Sequence, residues 1–347
     1  MTEKTGIAPV EADRPREIAA SSGVQLTGAA GGSGGPVPKA PRRVLTGSGA
    51  PRAPRGRARA PQPEPAKVES SLDGRRIGII GAGAMGGALC RGLVDSRIVT
   101  PSRVLVADPH TAHVQELARS LGIVAADSNI DAARNADIVL LAVKPYNVEP
   151  VLREIAPTLV RDEGAPLLIC IAAGVSTARI ESILASLADA PRVPVIRAMP
   201  NTPAQVGKGA CAYCKGSFTD ASHLQQAGEI FQSVGIAVEV PESMMDAVTA
   251  LSGSGPAYIY LMIEAMVDGG VRAGLPRDIA AKLASQTVLG AAQMVIDTGK
   301  HPAQLRDMVT TPAGTTIEAL ASLEHSGLRA ALIDAIGKAA QRSRELG

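Results

Sequence analysis

A chain of 347 residues is longer than one ordinary hydrophobic core and fits about two domains. Its hydrophobic content of 46% fills such cores, but with four Tyr, two Phe and no Trp they are built from aliphatic residues, which argues against base-stacking surfaces for nucleic acid. The net charge of +2 conceals an asymmetry: residues 1–74 hold 11 Lys/Arg against 7 Asp/Glu, leaving the rest near neutral, without the basic footprint of a nucleic-acid binder.

Residues 1–74 are rich in Pro, Gly, Ala and Arg without periodicity and cannot bury enough apolar surface to offset their ordering entropy. The segment reads as a disordered tail or as sequence upstream of the true start codon; a basic arm touching an anionic partner is the alternative. No charged n-region with an apolar h-region opens the chain, and the apolar runs "IVLLAV" and "APLLICIAAGV" fall short of the ~18 residues of a membrane span. The expectation is a soluble, cytoplasmic protein with no membrane or nucleic-acid partner.

From Arg75 strands and helices alternate. The segments "RRIGII", "RVLVA", "ADIVLLAV", "PLLICIA", "VPVIRAM", "GACAYC" and "IAVEV" read as strands. Helices are expected over Met85 to Val94, Ala112 to Leu121, Val148 to Ala156, Thr177 to Leu187 and Ala221 to Val234. This alternation predicts an α/β domain over 75–241, with a mainly parallel, doubly wound sheet. Cys211 and Cys214 have CxxC spacing, but on a strand they point to opposite faces, so all four cysteines read as packing residues and no metal is expected.

Beyond Pro241 the pattern is helical over 242–347: Ser243 to Leu251, Pro256 to Arg272, Pro276 to Thr298, Pro302 to Val309 and Thr315 to Glu345. Prolines stand at three of these starts, and Gly274 and Gly299 just past two ends. The helix from Pro276 is apolar around most of its circumference, with Ala284, Val288, Leu289, Ala292, Val295 and Ile296 on different faces. About 105 helical residues cannot surround it alone. A second subunit is expected to do so, which makes this half a dimerisation domain.

"RRIGIIGAGAMGGALCRGLV" places Gly81, Gly83 and Gly86 directly after a strand and at a helix start, where amides and dipole meet a pyrophosphate. Asp108 ends the second strand, 22 residues after Gly86. An acid there accepts from the ribose hydroxyls and repels a 2′-phosphate, a lean towards NADH. Dinucleotide binding is the expected role.

Several motifs together resemble the pyrroline-5-carboxylate reductase family: "IGIIGAGAMGGAL", "LLAVKPYNV", "IAAGVS", "VIRAMPNTPAQVGKGA", "DAVTALSGSGPAYIYLMIEAMVDGGVRAGLP" and "HPAQLRDMVTTPAGTTIEAL". The resemblance runs in order from Arg75 to the C-terminus. It implies a Rossmann-like domain followed by a helical domain that interlocks two subunits, often in rings of dimers, and reduction of 1-pyrroline-5-carboxylate to L-proline by NADPH or NADH. By residue, it implies that Gly81, Ala82, Gly83, Ala84, Met85 and Gly86 hold the pyrophosphate and Asp108 the ribose, with Asn129 near the adenine. Ala142, Val143, Lys144 and Pro145 of "AVKP" would line the cofactor cleft, and Ala172 and Ala173 would lie near the nicotinamide. Lys144 has a second reading as a surface lysine. Glu242 matches a family acid near the substrate, though an acid at a helix start also answers to the helix dipole. Asn201 in "PNTP" reads as a turn residue.

The loop "TTPAGTT" carries two readings that coexist. Thr315 as N-cap with Glu318 fits a capping box. The resemblance assigns substrate carboxylate binding to Thr311, Gly314 and Thr315, and a hydrogen bond to the ring nitrogen to Thr316. Ala313 departs from the family's frequent Pro-Gly-Gly, and a backbone with φ > 0 there would strain it. "SGSGPAY" reads either as a Ser254 N-cap before Pro256 or as a floor under the nicotinamide, where Gly253 and Gly255 remove bulk. Two alternatives stand beside the reductase reading: a β-hydroxyacid dehydrogenase, with Lys282 or Lys300 as the nearest catalytic lysine, and a non-catalytic nucleotide sensor.

Overall fold

The computed structural model describes residues 70–161, 164–187 and 192–346, so the expected tail up to residue 69 lies outside the described residues. The last five residues assigned to that tail belong to the fold. Leu72 is fully buried in the core. Ser70 Oγ (2.6 Å) and the Ser71 N–H (3.0 Å) both donate to Glu229. A single leucine among polar neighbours carries no periodic signal, which is why composition alone ends the tail too late.

Six strands and five helices alternate: β1 (Ile77–Ile80), α1 (Ala84–Asp95), β2 (Val104–Ala107), α2 (Thr111–Leu121), β3 (Val124–Ala125), α3 (Asn129–Arg134), β4 (Ile138–Leu141), α4 (Pro145–Leu159), β5 (Leu167–Cys170), α5 (Thr177–Ala185) and β6 (Val195–Met199). Then come β7 (Gly209–Lys215), α6 (Ala221–Gln232) and β8 (Gly235–Glu239). The sheet order is β3-β2-β1-β4-β5-β6-β7-β8, parallel throughout except for the antiparallel β6–β7 pair. Between β6 and β7 lies only a 3-10 turn, Thr202–Val206, which leaves no room for the crossover helix a parallel pair requires. The short β3 and α3 lack a sequence-level period and were not expected.

Both sheet faces are buried, as a parallel sheet demands. Ile77, Ile79, Ile138 and Leu140 join Leu89, Leu117 and Phe231 on one face. Ile80, Val139 and Leu141 join Leu152, Ile155 and Ile180 on the other. Cys211 and Cys214 of β7 fall into different clusters, the arrangement their spacing predicted.

The second half is helical: α7 (Met245–Val248), α8 (Gly255–Arg272), α9 (Arg277–Thr298), α10 (Pro302–Met308), α11 (Thr315–His325) and α12 (Leu328–Leu346). The single helix expected over Ser243 to Leu251 is broken into a 3-10 turn (Glu242–Met244), α7 and a π-turn (Thr249–Gly253). The last expected helix divides at Gly327, whose φ of +74° a continuing helix cannot accommodate. Ser254 occupies the N-cap position of α8 before Gly255 and Pro256, but it has helical dihedrals and its side chain makes no cap bond, because the π-turn already feeds helical backbone into α8.

Helix α9 buries only Ala280 and Ala284, against α8. Leu283, Leu289 and Ile296 are exposed, the last at 74%. Among the described residues, α9 is the one helix long and apolar enough by length and composition to cross a membrane.

Candidate active site

The strand order reverses between β1 and β4, so their C-terminal ends open the crevice where α/β sheets bind ligands. Gly81 leaves β1 with φ +106°, and a Cβ on Gly86 would lie 1.9 Å from the Gly81 carbonyl oxygen. Both positions therefore admit only glycine. Gly83 is the N-cap of α1, no side chain caps it, and a Cβ there would meet nothing within 4 Å. The first-turn amides of α1 thus carry no side-chain cap, and Ala84, Met85 and Gly86 lie on that turn. This cradle fits the diphosphate of a dinucleotide.

Asp108 stands where β2 ends, its side chain 16% exposed. One oxygen accepts the Ala82 N–H (2.8 Å); the other accepts the His110 N–H (2.9 Å) and faces His110 Nδ1 at 3.0 Å. Burial by itself raises the carboxyl's pKa, but these partners outweigh it and hold the group below its ordinary value. The acid is thereby charged and fixed to the glycine loop.

Ala142, Val143, Lys144 and Pro145 follow β4, with the Ala142 N–H on the Ile80 carbonyl (2.8 Å) and Lys144 as the exposed N-cap of α4. Ala172 is buried and Ala173 exposed just beyond β5. These residues share the C-terminal edge of the sheet with the glycine loop and Asp108. Asn129, at the start of α3, instead turns its amide to Glu154 Oε2 (2.8 Å) on α4.

The threonine loop stands on a separate helical arm: α10 packs on α9, and α11 on α12. Thr311 to Gly314 form a turn closed by the Gly314 N–H on the Thr311 carbonyl (3.1 Å), with Pro312 second and Ala313 third at φ +55°. That is the dihedral the sequence flagged as strained. The predicted capping box is not formed: Gly314 is the N-cap of α11, without a side-chain bond, and Thr315 is the first helical residue. The left-handed Ala313 turns the chain one residue earlier than a Thr315 cap requires. The first amides of α11 are consequently uncapped, and Thr316 is half-buried beside them.

Glu242 lies at the junction of the two halves. It accepts from the Thr177 N–H at the start of α5 (2.8 Å) and from the Thr177 hydroxyl, and pairs with Arg197 of β6 at 3.4 Å. Arg197 is 8% exposed in its side chain. All four cysteines are buried, and burial pushes the Cys170 thiol up to about 11 and the Cys90 thiol up to about 12. Those thiols are inert at neutral pH.

The comparisons with known proteins follow this division. The family described as "Pyrroline-5-carboxylate reductase dimerisation" matches residues 242–346, and that described as "NADP oxidoreductase coenzyme F420-dependent" matches residues 76–174. A pyrroline-5-carboxylate reductase of Synechocystis sp. is 46% identical over 272 residues, covering 78% of this chain and 98% of the relative. The chain belongs to the pyrroline-5-carboxylate reductase family.

The Methanosarcina acetivorans reductase is 45% identical, over 80% of this chain and 99% of its own. Among solved structures, the Coxiella burnetii reductase aligns with TM-score 0.73 at 35% identity, and the Plasmodium falciparum reductase with NADP bound with TM-score 0.69 at 32% identity. Each covers 79% of this chain and 98% of its own. As in those family members, the fold joins a Rossmann-like sheet to a helical C-terminal region, and neither the hydroxyacid dehydrogenase nor the sensor is favoured.

Proposed function

We propose that this chain reduces 1-pyrroline-5-carboxylate to L-proline, the last step of proline biosynthesis, with NADH or NADPH. The near full-length match to curated reductases at 46% identity carries this reading. The nicotinamide supplies the hydride. The substrate is a cyclic imine whose protonated carbon accepts hydride readily, so the protein's task is placement.

The roles we assign are those the family resemblance implies, supported by the glycine-only loop at Gly81 and Gly86 and by the uncapped starts of α1 and α11. Gly81 to Gly86 hold the diphosphate with the uncapped amides of α1, and Asp108 the ribose. Ala142 to Pro145, with Ala172 and Ala173, wall the nicotinamide half, and Asn129 borders the adenine side. The uncapped start of α11 offers Thr311, Gly314 and Thr315 to the substrate carboxylate. Thr316 is the catalytic residue, hydrogen-bonding the ring nitrogen. Glu242 serves the substrate side through its hold on α5. The fixed charge of Asp108 favours NADH over a cofactor with a 2′-phosphate.

We read the dinucleotide domain as residues 75–241 and the substrate and dimerisation domain as 242–347. The apolar circumference of α9 is a contact with a second copy and not a membrane span, because it lies inside the region matched to a dimerisation family. We read it as a cytoplasmic enzyme without nucleic-acid or membrane partners, a reading supported by the near-neutral charge of residues 75–347. The test is initial-rate oxidation of NADH and NADPH by purified protein with pyrroline-5-carboxylate, set against reduction of NAD+ and NADP+ by purified protein with small 3-hydroxy acids. Turnover confined to the hydroxy acids sinks the reading; cofactor binding without oxidation by any imine favours the sensor.

A further inference from the structure

Asn201 behaves unlike a turn residue. It occupies the N-cap of the Thr202–Val206 turn, yet its side chain makes no cap bond there. It is 8% exposed, and both ends of its amide are used elsewhere. Oδ1 accepts the Ala210 N–H at 2.9 Å. In the β6–β7 register Met199 pairs with Ala212, so position 201 stands opposite 210, and the side chain extends the ladder after the backbone has left it. Nδ2 donates to the Ser252 carbonyl, 2.9 Å away across the junction of the two halves.

Pro256 explains why that carbonyl needs a donor from outside. In a continuing α-helix the Ser252 carbonyl would accept from the N–H of residue 256, which proline lacks. The neighbouring amides are committed: the Ser254 N–H bonds the Thr249 carbonyl (2.8 Å) in the π-turn, and the Ala257 N–H the Ser254 carbonyl (3.0 Å). A carbonyl left unpaired here costs desolvation free energy, and Asn201 supplies the missing donor. The adjoining Gly253 lies over Met199 at the C-terminal end of β6, where a Cβ would come within 2.6 Å of the Met199 methyl. β6 neighbours β5, whose end carries Ala172 and Ala173.

We infer that Asn201 is a positioning residue for hydride transfer. It substitutes for the proline's missing N–H and so pins the π-turn Thr249–Gly253 at the C-terminal edge of the sheet, beside the nicotinamide wall. This rests on the reductase reading for its catalytic consequence, though not for the bond itself. π-turns recur at functional sites because they redirect backbone within a helix, and this one, also held by the Tyr258 hydroxyl on the Ala250 carbonyl (3.2 Å), is tied to the end of β6 through the Asn201 amide.

The test uses full-length wild type, Asn201→Asp, and Asn201→Asp combined with Pro256→Ala. The aspartate keeps an acceptor for the Ala210 N–H and removes the donor to Ser252. The single variant is expected to lose between about 10- and 100-fold in kcat, with the NADH Kd from fluorescence titration within about two-fold of wild type. Amide hydrogen exchange over residues 249–258 should accelerate. The N–H restored at position 256 should return part of both kcat and exchange protection, or restore folding if the single variant does not fold. A lower melting temperature with unchanged kcat of the folded enzyme overturns the inference, as does unchanged exchange over 249–258 or a double variant no better than the single. Wild type that binds NADH without reducing pyrroline-5-carboxylate sinks the reductase reading, and the exchange and folding comparison still decides the Asn201 bond.

Discussion

Ala313 holds a left-handed φ of +55° in the turn that leads into α11, a conformation costing a residue with a Cβ about 1 kcal/mol. Ala313→Gly is therefore expected to raise the unfolding free energy in urea by up to about 0.5 kcal/mol, the relief of strain being partly offset by glycine's added entropy. Three residues on, Thr316 shares the half-exposed, uncapped start of the helix. Thr316→Ala should lower kcat by at least about ten-fold while leaving the NADH Kd nearly unchanged, because an interaction specific to the reacting ring is removed and the glycine loop is untouched. Wild-type turnover in that variant refutes the ring-nitrogen contact. Asp108 contributes through its depressed pKa. Its charged form is favoured in the fold, so its contribution is present above the ordinary carboxylate pKa and lost only as pH falls through the lower folded value. Asp108 should stay charged from pH 8 down to about 5, so a change in NADH/NADPH discrimination within that window reports the 2′-phosphate, whose second pKa is about 6, and Asp108→Ser should shift the ratio of their Kd values towards NADPH, read by fluorescence titration.

Helix starts mark the limit of sequence reading at the scale of elements. The prolines at the starts of α8 and α10, Pro276 directly before α9 and the glycine after α9 were legible, because missing N–H groups and left-handed caps are local properties, whereas the start of α4 at Pro145 lies three residues before the expected Val148. The cap read at Thr315 falls one residue earlier at Gly314, because the left-handed Ala313 shifts the helix entry, and Ser254 holds its N-cap position without a side-chain bond, because the π-turn brings helical backbone into it. The contact of Glu242 with the start of α5 was invisible for another reason: it joins residues 65 apart in the chain. Removing that carboxylate strands Arg197, whose side chain is 8% exposed. Glu242→Ala should cost about 3 kcal/mol in denaturant unfolding, well beyond a surface substitution. A change under about 0.5 kcal/mol would show that the pair does not secure the junction.

For the molecule as a whole, the fold begins earlier than composition suggests. Deleting residues 1–69 should be nearly neutral for melting, whereas deleting 1–74 removes fully buried Leu72 and the bonds to Glu229 and should cost about 2–5 kcal/mol. Either truncation that folds should sediment and scatter light as a dimer or larger, since α9 exposes Leu283, Leu289 and Ile296 within one chain. A stable monomer contradicts the reading of α9 as a subunit contact. By itself the sequence determined the alternating α/β half, the all-helical half, the glycine loop with Asp108 and the threonine loop, because period, turn chemistry and motif spacing are written within a few residues of one another. Tertiary structure alone decided that Leu72 is core, that β7 runs antiparallel to β6, that α11 starts without a cap, and that Asn201 serves a carbonyl orphaned by Pro256. The Leu72 and Asn201 contacts join groups tens of residues apart and leave no local pattern, whereas the β6–β7 connection and the Ala313 turn are local backbone geometries that residue type leaves open until the fold selects one.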